Sequence, residues 1–394
     1  MVGHAGEARS AWRGLGKLPS LALQRPTPHS AESAELMTLL QTRRPSLAIT
    51  AGDVSPATHG VTFDGAFYSF IAQAGRPAAI ILIGDLPASV ARPLVAAFQR
   101  RAGEFAAHEA DVVALIDMQN PQAPDFGALG SSNLATVFCK SEVLRPWGFS
   151  GHEPAVIVTD RGLRTIDIVD TADPATAAEA ALARVAALPV EAACDIVLPA
   201  PVLPVQGIFS RAFCRELIDH FEASPYTRGG MASRDAGGAL VHKIDETKKR
   251  RHDLVLGPRD PFLGPVSAAL ARTCLPEIRK AFNVDVRHTD RILIARYDDG
   301  GGYFLRHRDN AAPGVEFRQF ALSINLNSEE YEGGHLLFPE YNSHRYKPGT
   351  GAGVVFSCSL LHEAARVTKG RRYVVLTFLH DAASQARRLA SLQS

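Results

Sequence analysis

Apolar residues recur along this chain in two successive patterns. In the first, "PAAIILIG" (Pro77 to Gly84) and "DVVALID" (Asp111 to Asp117) are short apolar runs of strand length bounded by turn signals. Between them "ASVARPLVAAFQRRAGEFAAHEA" repeats apolar residues at helical spacing, and a strand, helix, strand succession predicts a parallel sheet. "PAVIVTDRGLRTIDIV" (Pro154 to Val169) then reads as two strands joined by the turn "DRG". After it "DPATAAEAALARVAAL" reads as an alanine-rich helix with Asp173 and Pro174 at its start. The unit this closes, of about 140 residues, has the size of one small α/β domain.

Four prolines between Leu188 and Pro204 carry no period and predict a linker. Beyond it, Ser210 can cap the amphipathic helix "SRAFCRELIDHFEASPY". The stretch Thr227 to Asp253 has no clear period and is expected to be a mobile surface loop. A second amphipathic helix, "DPFLGPVSAALARTCLPEIRKAF", precedes a series of mostly strands. The expected organisation is a flexible tail over 1–44, an α/β domain over 45–190 and a Pro-rich linker over 191–206. A β-rich α+β domain over 207–383 and a tail over 384–394 complete it.

Composition narrows the function without naming it. A chain of 394 residues, 46% hydrophobic and 21% charged, is an ordinary globular protein long enough for two domains. Its net charge of +1 suggests no nucleic-acid partner. The basic run "KKRRH" (Lys248 to His252) is short, and is expected to be a solvated loop or a local substrate contact. Five scattered cysteines without a Cys-x-x-Cys pair signal neither a disulfide framework nor zinc, and fit a reducing, cytoplasmic setting. With no run of 18 apolar residues, no membrane span is expected.

The candidate chemistry lies in "GYFLRHRDNAAPG". In an extended segment residues i and i+2 share a face, so His307 and Asp309 can present an imidazole and a carboxylate to one point. A third ligand is available in His362, at the end of the apolar run "GVVFSCSLL". Arg371 and Arg372 lead into the apolar strand "RRYVVLTFL", where a buried guanidinium needs an anionic partner. Two histidines and one carboxylate suit a non-heme Fe(II) centre with open positions for a 2-oxo acid and O2. Another His-x-Asp, His288 and Asp290, lacks these companions.

In order, Tyr297, "DDGGG", His307-Arg308-Asp309, "GGHLLFPE", His362 and Arg372-Tyr373 make residues 207 to 381 resemble the 2-oxoglutarate and Fe(II)-dependent dioxygenases, in their prolyl 4-hydroxylase-like branch. The resemblance implies a double-stranded β-helix, or jelly roll, with His307, Asp309 and His362 on Fe(II). Arg372 would hold 2-oxoglutarate, helped by Tyr297. Asn325 and Ser323 fall on one face of "FALSINLN" and are expected to line the pocket. It also implies O2 as oxidant, succinate and CO2 as co-products, ascorbate as an auxiliary reductant, and a small-molecule or peptide substrate such as a prolyl residue. An iron or oxo-acid sensor without turnover is the alternative.

"AGDVSPATHGVTFDGAFYSF", "GRPAAIILIG" and "PAVIVTDRGLRTIDIV" make the first domain resemble the thioredoxin-like fold of peroxiredoxins. Where that family places its peroxide-reducing cysteine, this chain reads "GDLPASVARP". The expectation is a redox-inactive platform for a homodimer or a protein partner.

Overall fold

The computed structural model describes residues 47–127, 133–149, 153–190, 193–234 and 240–391. The expected N-terminal tail, 1–44, lies outside them. The chain divides into two compact units between Ala193 and Cys194.

The first unit is a seven-stranded sheet with two long helices, Ala88–Ala107 and Pro174–Ala186. Its centre is parallel: Ala78–Gly84 pairs with Asp111–Asp117, which pairs with Leu134–Cys139. Antiparallel strands flank this centre. The hairpin His59–Thr62 and Phe67–Ser69 adds on one side, and Ala155–Thr159 with Thr165–Val169 on the other. The sheet is therefore mixed, because each hairpin meets the centre with a strand running opposite to the parallel three. The central strands are buried on both faces. Ile81, Ile83, Val112 and Ala114 pack toward the helices, and Ile80, Leu82, Val113 and Leu115 pack with Phe70 and Trp147. Asp173 accepts a bond from the Thr176 N–H at 2.8 Å and so caps the second helix. Cys139 lies buried in its strand, and burial, with the nearby Asp117 carboxylate, pushes its thiol up to about 12. A thiol held protonated in this way is a poor nucleophile.

The second unit shares one core between two antiparallel sheets. The larger orders its strands Val202–Val205, Gly353–Ser357, Phe320–Asn325, Arg372–Asp381, Val286–Tyr297, His252–Val255 and Thr227–Arg228. The smaller orders them Lys249–Arg250, Tyr303–His307, His362–Ala364 and Leu336–Leu337. Ile292 and Ile294 face outward onto the helices Arg211–Ala223 and Leu263–Phe282, whereas Leu293, Ala295 and Tyr297 face the inner core with Phe338 and Phe356. Ser210 caps the first of these helices by accepting from Phe213 N–H at 3.1 Å.

Three expectations are corrected. Within the segment read as linker, Val202–Val205 is an edge strand paired to Gly353–Phe356; proline is tolerated there because an edge strand need not donate on both sides. Thr227 to Asp253 is not one loop. It carries the hairpin Met231–Arg234 with Leu240–Lys243 and the strands Lys249–Arg250 and His252–Val255. The expected C-terminal tail is the helix Ala382–Ser391, capped by Asp381 accepting from Ser384 N–H at 2.7 Å. Arg388 anchors it to Asp290 at 3.2 Å.

Candidate metal and anion site

His307 and His362 face each other across the smaller sheet as register partners on adjacent strands. Asp309 follows two residues after the first, its N–H donating to Cys358 O at 2.9 Å, which turns its carboxylate back toward both rings. The distances are 3.4 Å from His307 Nε2 to one carboxylate oxygen and 3.3 Å from His362 Nε2 to the other. Three ligands about 2.1 Å from one ion at right angles would lie about 3.0 Å apart, so the set is close to closing on a metal. Both imidazoles use Nδ1 against a carbonyl two residues earlier, Leu305 O at 2.7 Å and Leu360 O at 3.0 Å. Nδ1–H bonded to a carbonyl leaves the Nε2 lone pair free for a metal. Among the described residues this is the only trio of such ligands brought together.

Burial would push Asp309 up, but the two imidazoles, His362 foremost, hold its carboxyl well below its ordinary value. Burial also lowers His307, with the charge of His362 adding to it. For His362 burial is outweighed by the Asp309 carboxylate, and the ring is raised. Phe304 stacks on His307 and Phe356 meets His362 edge-on, so both rings are fixed by packing as well.

Arg308, between the ligands, points elsewhere and grips Glu340 at 2.6 and 3.1 Å. Glu340 accepts in turn from Leu361 N–H at 2.8 Å, so this pair sets the turn that delivers His362. His288 and Asp290 take no part. His288 stacks on His380, and Asp290 is pinned by Arg318 and Arg388.

At the start of the central strand Arg371 is exposed while Arg372 is 2% exposed and turned inward beside Tyr297, its register partner. Arg372 has no carboxylate partner among the described residues. One terminal nitrogen donates to Ser323 Oγ at 3.4 Å and Asn325 Oδ1 at 3.3 Å, and its buried Nε donates to nothing. Gly334 leaves it room, since a Cβ there would come within 2.9 Å of Arg372 Cδ. Asn325 is anchored by donating to Pro348 O at 2.8 Å and thus positions Arg372. The Tyr297 hydroxyl is taken up by Arg251, at 3.2 Å.

Arg251 belongs to the basic run read from the sequence as a solvated loop or a local substrate contact, but it and Lys249 are buried. "KKRRHD" runs through two short strands, so its residues alternate: Lys249, Arg251 and Asp253 turn in, while Lys248 and Arg250 are exposed. Arg251 and Asp253 pair at 2.6 and 3.0 Å, and Lys249 lies 3.7 Å from the same carboxylate. Asp253, two residues on, was the available signal. It supplies the counterion that lets such a charge run be buried. Lys249, Arg251, Tyr297, Arg372 and the three ligand residues line a single cavity of 870 Å³.

Two histidines and a carboxylate could hold one metal ion with coordination positions left open, and beside them lies a buried arginine with no anionic partner among the described residues. The model of the 2OG-Fe(II) oxygenase superfamily matches residues 292–380, and the second unit carries that domain. A PKHD-type hydroxylase of Maricaulis maris is 26% identical over 177 residues, 42% of this chain and 73% of the relative. One from Acaryochloris marina is 29% identical over 100 residues, 25% of this chain; the match spans less than half of that relative, 45%. Over the first unit the chain is similar to the thioredoxin domain of a thiol-disulfide oxidoreductase from Bacteroides vulgatus, at 15% identity and a TM-score of 0.28, covering 31% of this chain and 89% of that one. No helix among the described residues is long and apolar enough to cross a membrane.

Proposed function

We propose that this protein is an Fe(II)- and 2-oxoglutarate-dependent hydroxylase of an aliphatic C–H bond, with a prolyl residue of a peptide as the first substrate to test. The observation that carries the reading is the coexistence, in one cavity, of a three-ligand metal set and a buried Arg372 with no carboxylate partner among the described residues.

His307, Asp309 and His362 would hold Fe(II), which when bound supplies the chemistry that couples decarboxylation of 2-oxoglutarate by O2 to hydroxylation. Three protein ligands leave the remaining positions for the 2-oxo acid and O2. Arg372 would pair with the distal carboxylate of 2-oxoglutarate through a planar fork suited to two parallel bonds. Ser323 and Asn325 set the angle of that fork. Phe304, Leu336 and Phe356 around the ligands limit water at the reacting centre.

The test is succinate release from 2-oxoglutarate, run alongside mass spectrometry of candidate peptides and metabolites for the gain of one oxygen atom. Succinate is expected to require Fe(II) and to be lost in His307→Ala. Tight binding of metal and 2-oxoglutarate without succinate, with any candidate present, would replace this reading by that of a sensor.

A further inference from the structure

The cavity holds a second cation in the condition of Arg372. Nine lysines and arginines line it against three aspartates. Most of these cations are already engaged. Arg251 and Lys249 share Asp253, Arg318 and Arg388 share Asp290, and Arg308 is held by Glu340. Of the buried and half-buried cations in the lining, Arg291 and Arg372 alone have no carboxylate partner among the described residues. The Arg291 Nε is shut from water and bonded to nothing, and its guanidinium lies 5.7 Å from the centre of the Phe378 ring.

Backbone geometry explains how it comes to face the interior. The pairing of Val286–Tyr297 with Arg372–Asp381 slips between Thr289 and Ile292. Such an irregularity re-aims side chains, and both Asp290 and Arg291 reach the cavity from consecutive positions. Asp290 attracts its neighbour but makes its close ion pairs with Arg318 and Arg388 instead. Arg291 lies six residues, roughly 20 Å of extended strand, from Tyr297, the register partner of Arg372. The cavity thus carries one unanswered positive charge toward each end, with the metal ligands also on its wall.

We infer that the substrate hydroxylated here is itself an anion, whose carboxylate or similar oxyanion pairs with Arg291 while its apolar part lies against Val255, Val315 and Phe378. The inference rests on the proposed function, in which the co-substrate cannot answer Arg291. One of its carboxylates would go to Arg372 and the other would be taken up at the metal ligands, which leaves a different molecule to neutralise the second arginine. The charges of Lys249 and Arg251 strengthen the local positive potential without competing for that molecule, since Asp253 fixes their positions.

Hexanoate, a carboxylate with a short apolar tail, and its uncharged counterpart hexanamide serve as probes. Each is titrated calorimetrically into the full chain loaded with Mn(II) and saturating 2-oxoglutarate. Hexanoate is expected to bind with one site per chain and at least about tenfold tighter than hexanamide, as a charge-assisted pair requires. Arg291→Gln is expected to abolish that preference while leaving 2-oxoglutarate affinity unchanged, and Arg291→Lys to restore part of it. Equal affinity for the acid and the amide, no binding of the acid, or a preference that survives Arg291→Gln overturns the inference. The comparison of acid with amide uses the unaltered protein, so it decides even if a variant misfolds. Failure of 2-oxoglutarate itself to bind the Mn(II)-loaded chain would instead sink the proposed function.

Discussion

Replacing Arg372 by methionine should weaken one property of this protein and improve another. The guanidinium is removed from water, has no carboxylate partner among the described residues, leaves Nε unbonded and makes two long contacts of 3.3 and 3.4 Å. A buried charge in that condition lowers stability until an anion arrives. An apolar side chain of similar length should therefore stabilise the ligand-free unit. Loss of the contacts to Ser323 and Asn325 and of the packing over Tyr297, 5.1 Å away, offsets part of the gain. The net change is about 1–2 kcal/mol, or a Tm rise of about 2–6 °C for a unit of this size. Binding moves the other way. Two charge-assisted bonds to a carboxylate, each worth about 1.5–3 kcal/mol, disappear, so 2-oxoglutarate affinity should fall about 10²- to 10⁴-fold. Thermal unfolding without ligand and titration of the Mn(II)-loaded chain with 2-oxoglutarate measure the two sides. A lower Tm together with unchanged affinity would make Arg372 a structural residue and refute the reasoning.

The metal site and the C-terminal helix give two further predictions. His362 keeps its proton to a higher pH than a free imidazole, because the Asp309 carboxylate outweighs burial. A metal must displace that proton, so Mn(II) affinity should rise with pH by up to about tenfold per unit and level off above the raised value. The sign for the metal-free protein is opposite: the increment of stability from this histidine is full below its unfolded pKa and is lost as pH rises through the folded one. Metal affinity that is flat between pH 5 and 8 would contradict the proton competition. Asp290→Asn should destabilise the second unit by about 3 kcal/mol in urea unfolding, since it leaves Arg318 and Arg388 facing each other without their shared anion. A change below about 0.5 kcal/mol would mean that the cluster is solvated in solution.

The parts of the fold that could be read in advance are those in which spacing and packing agree. Ile80 to Ile83 form a run whose alternate residues fill two different cores, so its apolar continuity itself marks the strand. The trio His307, Asp309 and His362 was legible because the i, i+2 rule puts the first two together and an apolar strand delivers the third. Alternation likewise distinguished Arg372 from Arg371. What escaped was set by partners distant in sequence. The burial of Lys249 and Arg251 depends on pairing with Tyr303–His307 and on Gly230 O, which accepts from Lys249 at 2.8 Å. The helix Ala382–Ser391 turns no large apolar residue inward but Ser384, Gln385 and Arg388, and its anchor Asp290 lies about 100 residues earlier. Asn325 was expected as a pocket residue because its strand face was known, but the side chain is used by Arg372 and Pro348.

The cross-strand pairing of His307 with His362 has a consequence beyond catalysis. An ion bridging the two rings would tie together positions 55 residues apart in sequence. It would act as a clasp that deprives the unfolded chain of much of its freedom, as any cross-link closing a long loop does. The same atom would then serve as reagent and as fastening. Enzyme that has lost it should unfold faster as well as fall silent, and chelation would shorten the lifetime of the protein even where no substrate is present.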